Sequence, residues 1–270
     1  GDGGEGGPFE YSPYAPATRL FLNELFIDLD AVPELEAAAE ARALMASPEF
    51  RAEAAELEAL PRVDYRRAMA LKRRVLEILS RHFFDRGKPD RRAAFDDFLR
   101  ERPDTREYAL FRAAIERTRT TWHVWPEPMR SGTLTEHDAD PQAVQYHLYA
   151  QWIAHEQLGA LARRPWHAGS GLYLDMPLGV NGDSYDVWRH RELFAMEAAG
   201  GAPPDNFFIK GQNWGFPPLH PERSRAEGHA YWRMVVSRLT ETARALRIDH
   251  IMGLHRLYWI PRGMAADEGA

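Results

Sequence analysis

The sequence predicts an α/β fold, and three observations carry that prediction. A short apolar segment at 172–176, a Gly/Pro-rich loop, a helical stretch at 223–246 and a second apolar segment at 246–250 follow one another. Strand, loop, helix, strand is the crossover unit from which parallel sheets and barrels are built. From about residue 32 to 164, by contrast, the chain is rich in Ala, Arg, Glu and Leu, with apolar residues at helical spacing. The texture changes at Gly169-Ser-Gly171, which separates the two patterns. The expected organisation is a loop with a short strand segment over 1–30, a mainly helical portion over 31–168 and a β/α portion over 169–270.

Taken in order, residues 1–16 lack periodicity and carry five Gly and three Pro, which reads as loop. Residues 20–29 form an apolar run whose period fits strand or helix, and they are entered here as a short strand. Met69, Val75, Leu76, Leu79 and Phe83 recur near a helical period. So do Phe95, Phe98 and Leu99, then Tyr108, Phe111 and Ile115, then Val144, Leu148, Trp152 and Ile153. Breaks are expected at Pro61, Gly87-Lys-Pro89, Pro103, 126–132 and Pro141. Residues 172–180 read as a strand running into a loop, and 200–221 as a loop rich in Gly, Pro and aromatics.

A length of 270 residues allows one large domain or two small ones. The formal net charge of −6 gives no electrostatic reason to expect nucleic acid or an anionic membrane as partner. The absence of cysteine excludes disulfides and thiolate chemistry and fits a reducing compartment. No apolar run approaches the roughly 18 residues of a membrane span. The glycine-rich, acidic start is no signal peptide, so a cytoplasmic protein is expected. Without an initiator Met, the chain reads as a piece of something longer.

The segment at 245–261 holds the most informative chemistry. Arg247, Asp249 and His250 are set into an otherwise apolar strand end, where a carboxylate is costly to bury unless a positive charge or donors hold it. Residues two apart in a strand share a face, so Arg247 pairs with Asp249 and favours an ionised, oriented carboxylate. Spacing alone leaves that pair open between a structural ion pair and a prepared nucleophile. Asp183 and Asp186 follow the other strand, where functional groups of β/α folds gather. On spacing alone they read more often as ordinary loop residues, turn caps or partners of Arg189 and Arg191. Gln212, Asn213 and Trp214, in a proline-stiffened loop, suit a sugar, since amides bond hydroxyls and an indole stacks on a pyranose. A core-packed Trp with capping amides is the other reading. The 11 histidines show no metal-ligand spacing, and no phosphate-binding loop or nucleophile-elbow serine is present. No metal and no cofactor are called for.

Together these residues resemble the amylomaltases or disproportionating enzymes, the 4-α-glucanotransferases of the α-amylase clan. The resemblance runs through Ser12-Pro-Tyr-Ala-Pro16, Phe21-Leu-Asn23, Val124-Trp-Pro126 and Asp175-Met-Pro-Leu-Gly-Val180. It continues through Asp186-Val-Trp188, Gly201-Ala-Pro-Pro-Asp205, Gly211-Gln-Asn-Trp-Gly215, Ala245-Leu-Arg-Ile-Asp-His250 and Trp259-Ile-Pro261. Any one of these is modest evidence; their order and spacing make the resemblance specific.

The resemblance implies a partial (β/α)₈ TIM barrel with a large, mainly helical insertion. It implies transfer of α-1,4-glucan segments between maltodextrins, with retention, through a glucosyl-Asp249 intermediate. Arg247 would orient that nucleophile, and Tyr14, with Ser12 of the same motif and His250, would line the substrate site. Gln212, Asn213 and Trp214 would cover bound glucan, and Asp183 matches an acidic position after an early barrel strand. His220 stands where related sequences have Asp. The same resemblance expects an acid/base Glu and a later His-Asp pair beyond the last residues of this chain, and earlier strands before its first. The chain is therefore expected to be an internal fragment, marginally folded and inactive alone. The alternative is a non-catalytic glucan-binding or degenerate protein of the same fold.

Overall fold

The structure is a computed structural model that describes residues 15–164 and 171–270. Ser12 and Tyr14 lie outside the described residues. The chain divides into two compact units, one of Phe21–Thr120 with Thr133–Arg163, the other of Gly1–Leu20, Thr121–Gly132 and Arg164–Ala270.

The first unit is helical: α1 (Ala39–Ala46), α2 (Pro48–Glu58), α3 (Tyr65–Arg86), α4 (Pro89–Glu101), α5 (Asp104–Thr118) and α6 (Pro141–Ala162). The ends follow local chemistry. Ser47 and Asp64 accept the N–H groups of Phe50 and Arg67 at the starts of α2 and α3. Pro89 cannot sit inside a helix but suits the first turn of α4. Asp140 accepts from Gln142 and Ala143 at 2.8 and 3.0 Å and starts α6. Residues 146–154 are buried on every side, so α6 is the helix against which α3 and α5 pack. The apolar residues that set the helical period, among them Val75, Leu79, Phe83, Phe95, Phe98 and Trp152, form this core.

The short strand expected within residues 1–30 does not form among the described residues, and the reason is local. Residues 24–26 make a single tight turn capped by Asn23. Gln151 answers both backbone groups of Leu22, Gln157 answers both of Asp28, and the Lys72 ammonium binds the carbonyls of Leu25 and Ile27. Side chains thus satisfy the groups that a neighbouring strand would have paired.

The second unit contains β1 (Tyr173–Met176), α7 (Tyr185–Arg189), β2 (Ala198–Ala202), β3 (Gln212–Asn213), α8 (Pro221–Ala226), α9 (Ala230–Thr240), β4 (Ala245–Ile248) and β5 (Tyr258–Pro261). β1 and β4 pair in parallel, with Asp175 opposite Arg247, and α9 packs against both strands. This is the crossover expected at 172–250, with two differences. The helix expected over 223–246 is broken at Gly228 and His229, which have φ of 60° and 58°. The loop expected at 200–221 holds strand structure: β2 pairs antiparallel with β3 on one side and β5 on the other.

Residues 121–132, placed by composition within the helical portion 31–168, belong to this second unit. The Trp122 indole N–H donates to the Gly182 carbonyl at 3.2 Å, and that of Trp188 donates to the Met129 carbonyl at 2.9 Å. Trp125 meets Trp188 edge-on, with centroids 6.4 Å apart. The outer limits shift as well, from 30 to 20 and from 168 to 163. Among the described residues, no helix is long and apolar enough to cross a membrane, and no three His, Asp or Glu gather as metal ligands.

Candidate active site

β4 ends at Ile248 because His250 turns the chain with φ of 48°, leaving Asp249 at the C-terminal edge of a parallel strand. That edge is where β/α folds build their sites. The His250 N–H donates to Asp249 Oδ1 at 3.0 Å. Arg247, two residues back on the same face, places Nη2 3.2 Å from Asp249 Oδ2. Its Nη1 lies 3.1 Å from Oδ2 of Asp175, its register partner on β1. One guanidinium therefore spans carboxylates from two strands, and both oxygens of Asp249 are held. The Asp249 side chain is 46% exposed, so the premise of a buried carboxylate is corrected. In so open a pair solvent screens the charges, and the contribution of the ion pair is orientation rather than stability.

The Trp214 ring stands edge-on to the His250 ring, with centroids 4.9 Å apart and planes at 81°. It stacks on Phe216 at 6.0 Å and 21°. The Trp214 indole N–H reaches Gln212 Oε1 at 3.4 Å. Asn213 Oδ1 accepts the N–H of Gly215, whose φ of 78° favours glycine. The structure thus brings Asp249, Arg247, His250 and Trp214 together, with Gln212 attached through the indole. Asn213 shapes the turn that carries the Trp.

Asp183 makes a separate cluster: its carboxylate is 3.1 Å from His123 Nε2, and its N–H donates to Asn181 Oδ1. Asp186 is neither turn cap nor partner of Arg189 or Arg191. It is wholly buried in α7 and accepts the Thr18 hydroxyl at 2.6 Å, the Arg19 N–H at 2.9 Å and the Tyr231 hydroxyl at 2.7 Å. Burial pushes its pKa up, against the downward pull of these donors. The Arg19 guanidinium in turn donates to the carbonyls of Pro177 and Leu178, just past β1. Trp188, an aromatic of the Asp186 motif, is core. Sequence reasoning passed over Asp175 and Phe216. The first stood inside a quoted motif, and its role needed the β1–β4 register to be seen.

Residues 5–270 match the profile of the 4-alpha-glucanotransferase family. The chain belongs to that family. It is 33% identical to a 4-alpha-glucanotransferase of Mycobacterium tuberculosis, over 100% of this chain and 37% of the relative. It is 32% identical to that of Haemophilus influenzae, over 96% of this chain and 40% of the relative. The chain thus spans well under half the length of these 4-alpha-glucanotransferases. Among solved structures it resembles amylomaltase from Corynebacterium glutamicum, with a TM-score of 0.77 and 28% identity over 96% of this chain and 36% of that one. It resembles amylomaltase from Streptococcus agalactiae in complex with acarbose in fold, with a TM-score of 0.80 and 24% identity over 96% of this chain and 53% of that one. The fold is accordingly a partial (β/α)₈ barrel with a large, mainly helical insertion, as this 4-alpha-glucanotransferase family resemblance implied.

Proposed function

We propose that the protein to which this chain belongs transfers α-1,4-glucan segments between maltodextrins with retention, and that Asp249 is its nucleophile. The observation that carries this reading is a carboxylate at the end of β4 with both oxygens held, by Arg247 and the His250 N–H, beside the Trp214 indole. A retaining transferase needs a carboxylate fixed in attacking geometry next to an apolar wall for the sugar.

In the first step an Asp249 oxygen attacks the anomeric carbon of the donor, the bond to the leaving 4-oxygen breaks, and an acid/base carboxyl protonates that oxygen. In the second, the 4-hydroxyl of an acceptor sugar attacks the glucosyl ester, gives its proton to the same acid/base and frees Asp249 as carboxylate. Retention sets the two carboxyl groups roughly 5–5.5 Å apart. This reading takes the acid/base Glu, and a further His-Asp pair, from parts of the protein outside these 270 residues. Asp175 is engaged in aligning Arg247. Two glycosidic bonds of similar free energy exchange, so the reaction needs no nucleotide, metal or other cofactor. Trp214 and the Gln212–Asn213 amides would hold glucan and exclude water, which protects the ester from hydrolysis. We place the protein in the cytoplasm, with which the lack of cysteine in these 270 residues agrees.

The test is to trap the intermediate in the full-length protein with 5-fluoro-α-glucosyl fluoride and locate the label by peptide mass spectrometry. A glycosyl ester on Asp249 is expected. Asp249→Ala should lower disproportionation of maltotriose by ~10⁴-fold or more, as loss of a covalent nucleophile does. A label on another carboxylate, or an active Asp249→Ala enzyme, would overturn the assignment. Glucan binding without cleavage by the wild type would favour the non-catalytic alternative.

A further inference from the structure

Phe216 is 4% exposed and occupies a slot that exists because two residues lack side chains. A Cβ on Gly179 would lie 2.2 Å from its ring, and a Cβ on Gly200 2.6 Å from it. Any other residue at either place would fill the space the ring needs. Both walls are anchored. Gly179 follows the two carbonyls held by Arg19, and Gly200 lies in β2, laddered to Trp259 of β5. Gly200 also grips the loop by its backbone: its N–H donates to the Phe216 carbonyl at 2.9 Å, and its carbonyl accepts the Trp214 N–H at 3.0 Å.

The Trp214 indole rests on this fixed ring and turns its other contact to His250, the residue after the nucleophile. Asp249 is secured by the His250 N–H and by Arg247, itself aligned by Asp175. The wall beside the nucleophile and the nucleophile itself therefore share only His250, whose ring meets Trp214 and whose N–H holds Asp249, and no support of Asp249 runs through Phe216.

We infer that Phe216 is a positioning residue: clamped between Gly179 and Gly200, it seats Trp214 beside Asp249 and sets how well a sugar acceptor outcompetes water at the glucosyl ester. This rests on the glucanotransferase reading above. Because the Arg247–Asp249 pair does not depend on Phe216, its loss should leave cleavage of the donor bond largely intact. The displaced indole would no longer stack on the acceptor or keep water out.

The experiment compares Phe216→Ala and Phe216→Leu with the wild type in the full-length enzyme on maltotriose, following both hydrolytic release and the ladder of longer products. The transfer-to-hydrolysis ratio should fall about tenfold, the worth of one aromatic contact. The acceptor KM should rise, while total bond cleavage stays within about threefold because the nucleophile's own supports are intact. Leu fills the slot without giving the indole a ring to stack on, so it carries the test if the Ala variant does not fold. Gly200→Ala should reproduce the same shift. A lower melting temperature with an unchanged ratio would make Phe216 merely structural, and a parallel fall of cleavage and transfer would also overturn the inference. Failure of the underlying reading looks different: the wild type itself would not cleave maltotriose, or Asp249→Ala would retain activity.

Discussion

Asp186 holds a carboxylate where no water reaches it, and its two oxygens are shared among three donors from two places in the chain. Removing it would strand the Tyr231 hydroxyl and the Arg19 N–H, so Asp186→Ala should destabilise the protein by about 3 kcal/mol or more. Asp186→Asn should cost only ~1 kcal/mol, because its oxygen still accepts from Arg19 and Tyr231 while its amide donates to the Thr18 hydroxyl. Urea denaturation of the two variants checks this, and equal losses would show that charge, not pairing, matters there. Legibility at this scale depended on distance along the chain. Arg247 and Asp249 stand two residues apart, so strand geometry alone brought them together. Asp186 meets Thr18 across 168 residues and Tyr231 across 45, and no local pattern announces such a node. Phe216 was hidden for a related reason: its slot is defined by what glycines lack.

At the scale of elements, α3 to α6 were plain in the sequence because the apolar period and the breaks at Pro61, Gly87-Lys-Pro89, Pro103 and Pro141 agree. α6 shows how much a cap carries. Asp140→Ala removes the acceptor for two N–H groups at the start of the helix against which α3 and α5 pack, and should cost about 1 kcal/mol. Asp140→Ser should recover most of it, and a denaturation series would read the difference. The strands were harder. β2 is Ala-Ala-Gly-Gly-Ala, without a single β-branched or aromatic residue, and reads as loop. Its neighbours demand that composition, since a Cβ on Gly201 would stand 2.2 Å from the Gln212 carbonyl oxygen of β3. Residues 20–29 failed the other way: an apolar run looked like a strand, while Gln151, Gln157 and Lys72 had already engaged its backbone.

The whole molecule should be more sensitive to acid than to base, since one unit holds a buried histidine and the other a half-buried one, each with a lowered pKa. Burial lowers the pKa of His147 in the helical unit against the opposing pull of Glu116. In the β/α unit, burial and the nearby Arg189 lower that of His190 to about 4. A depressed folded-state pKa carries no penalty above the ordinary histidine value of 6.5. Below it the unfolded chain takes up the proton first, so stability falls until the folded form also protonates. For His190 that window runs from 6.5 down to about 4 and is worth about 3 kcal/mol. His190→Gln should flatten this part of a plot of melting temperature against pH, and an unchanged slope would refute the assignment. The isolated chain is expected to show no transfer, as β1 and β4 pair only with each other among the described residues and leave open edges. Measurable maltotriose disproportionation by these 270 residues alone would contradict that. The threading of the chain has a consequence for its birth. It enters the helical unit at Phe21, leaves for Thr121–Gly132 and quits it at Arg163. On the ribosome that unit is complete, and free to close on fast local contacts, while β4 is still unmade. β1 emerges before β4, so the edge of β1 that β4 will occupy stays open until translation has passed Ile248.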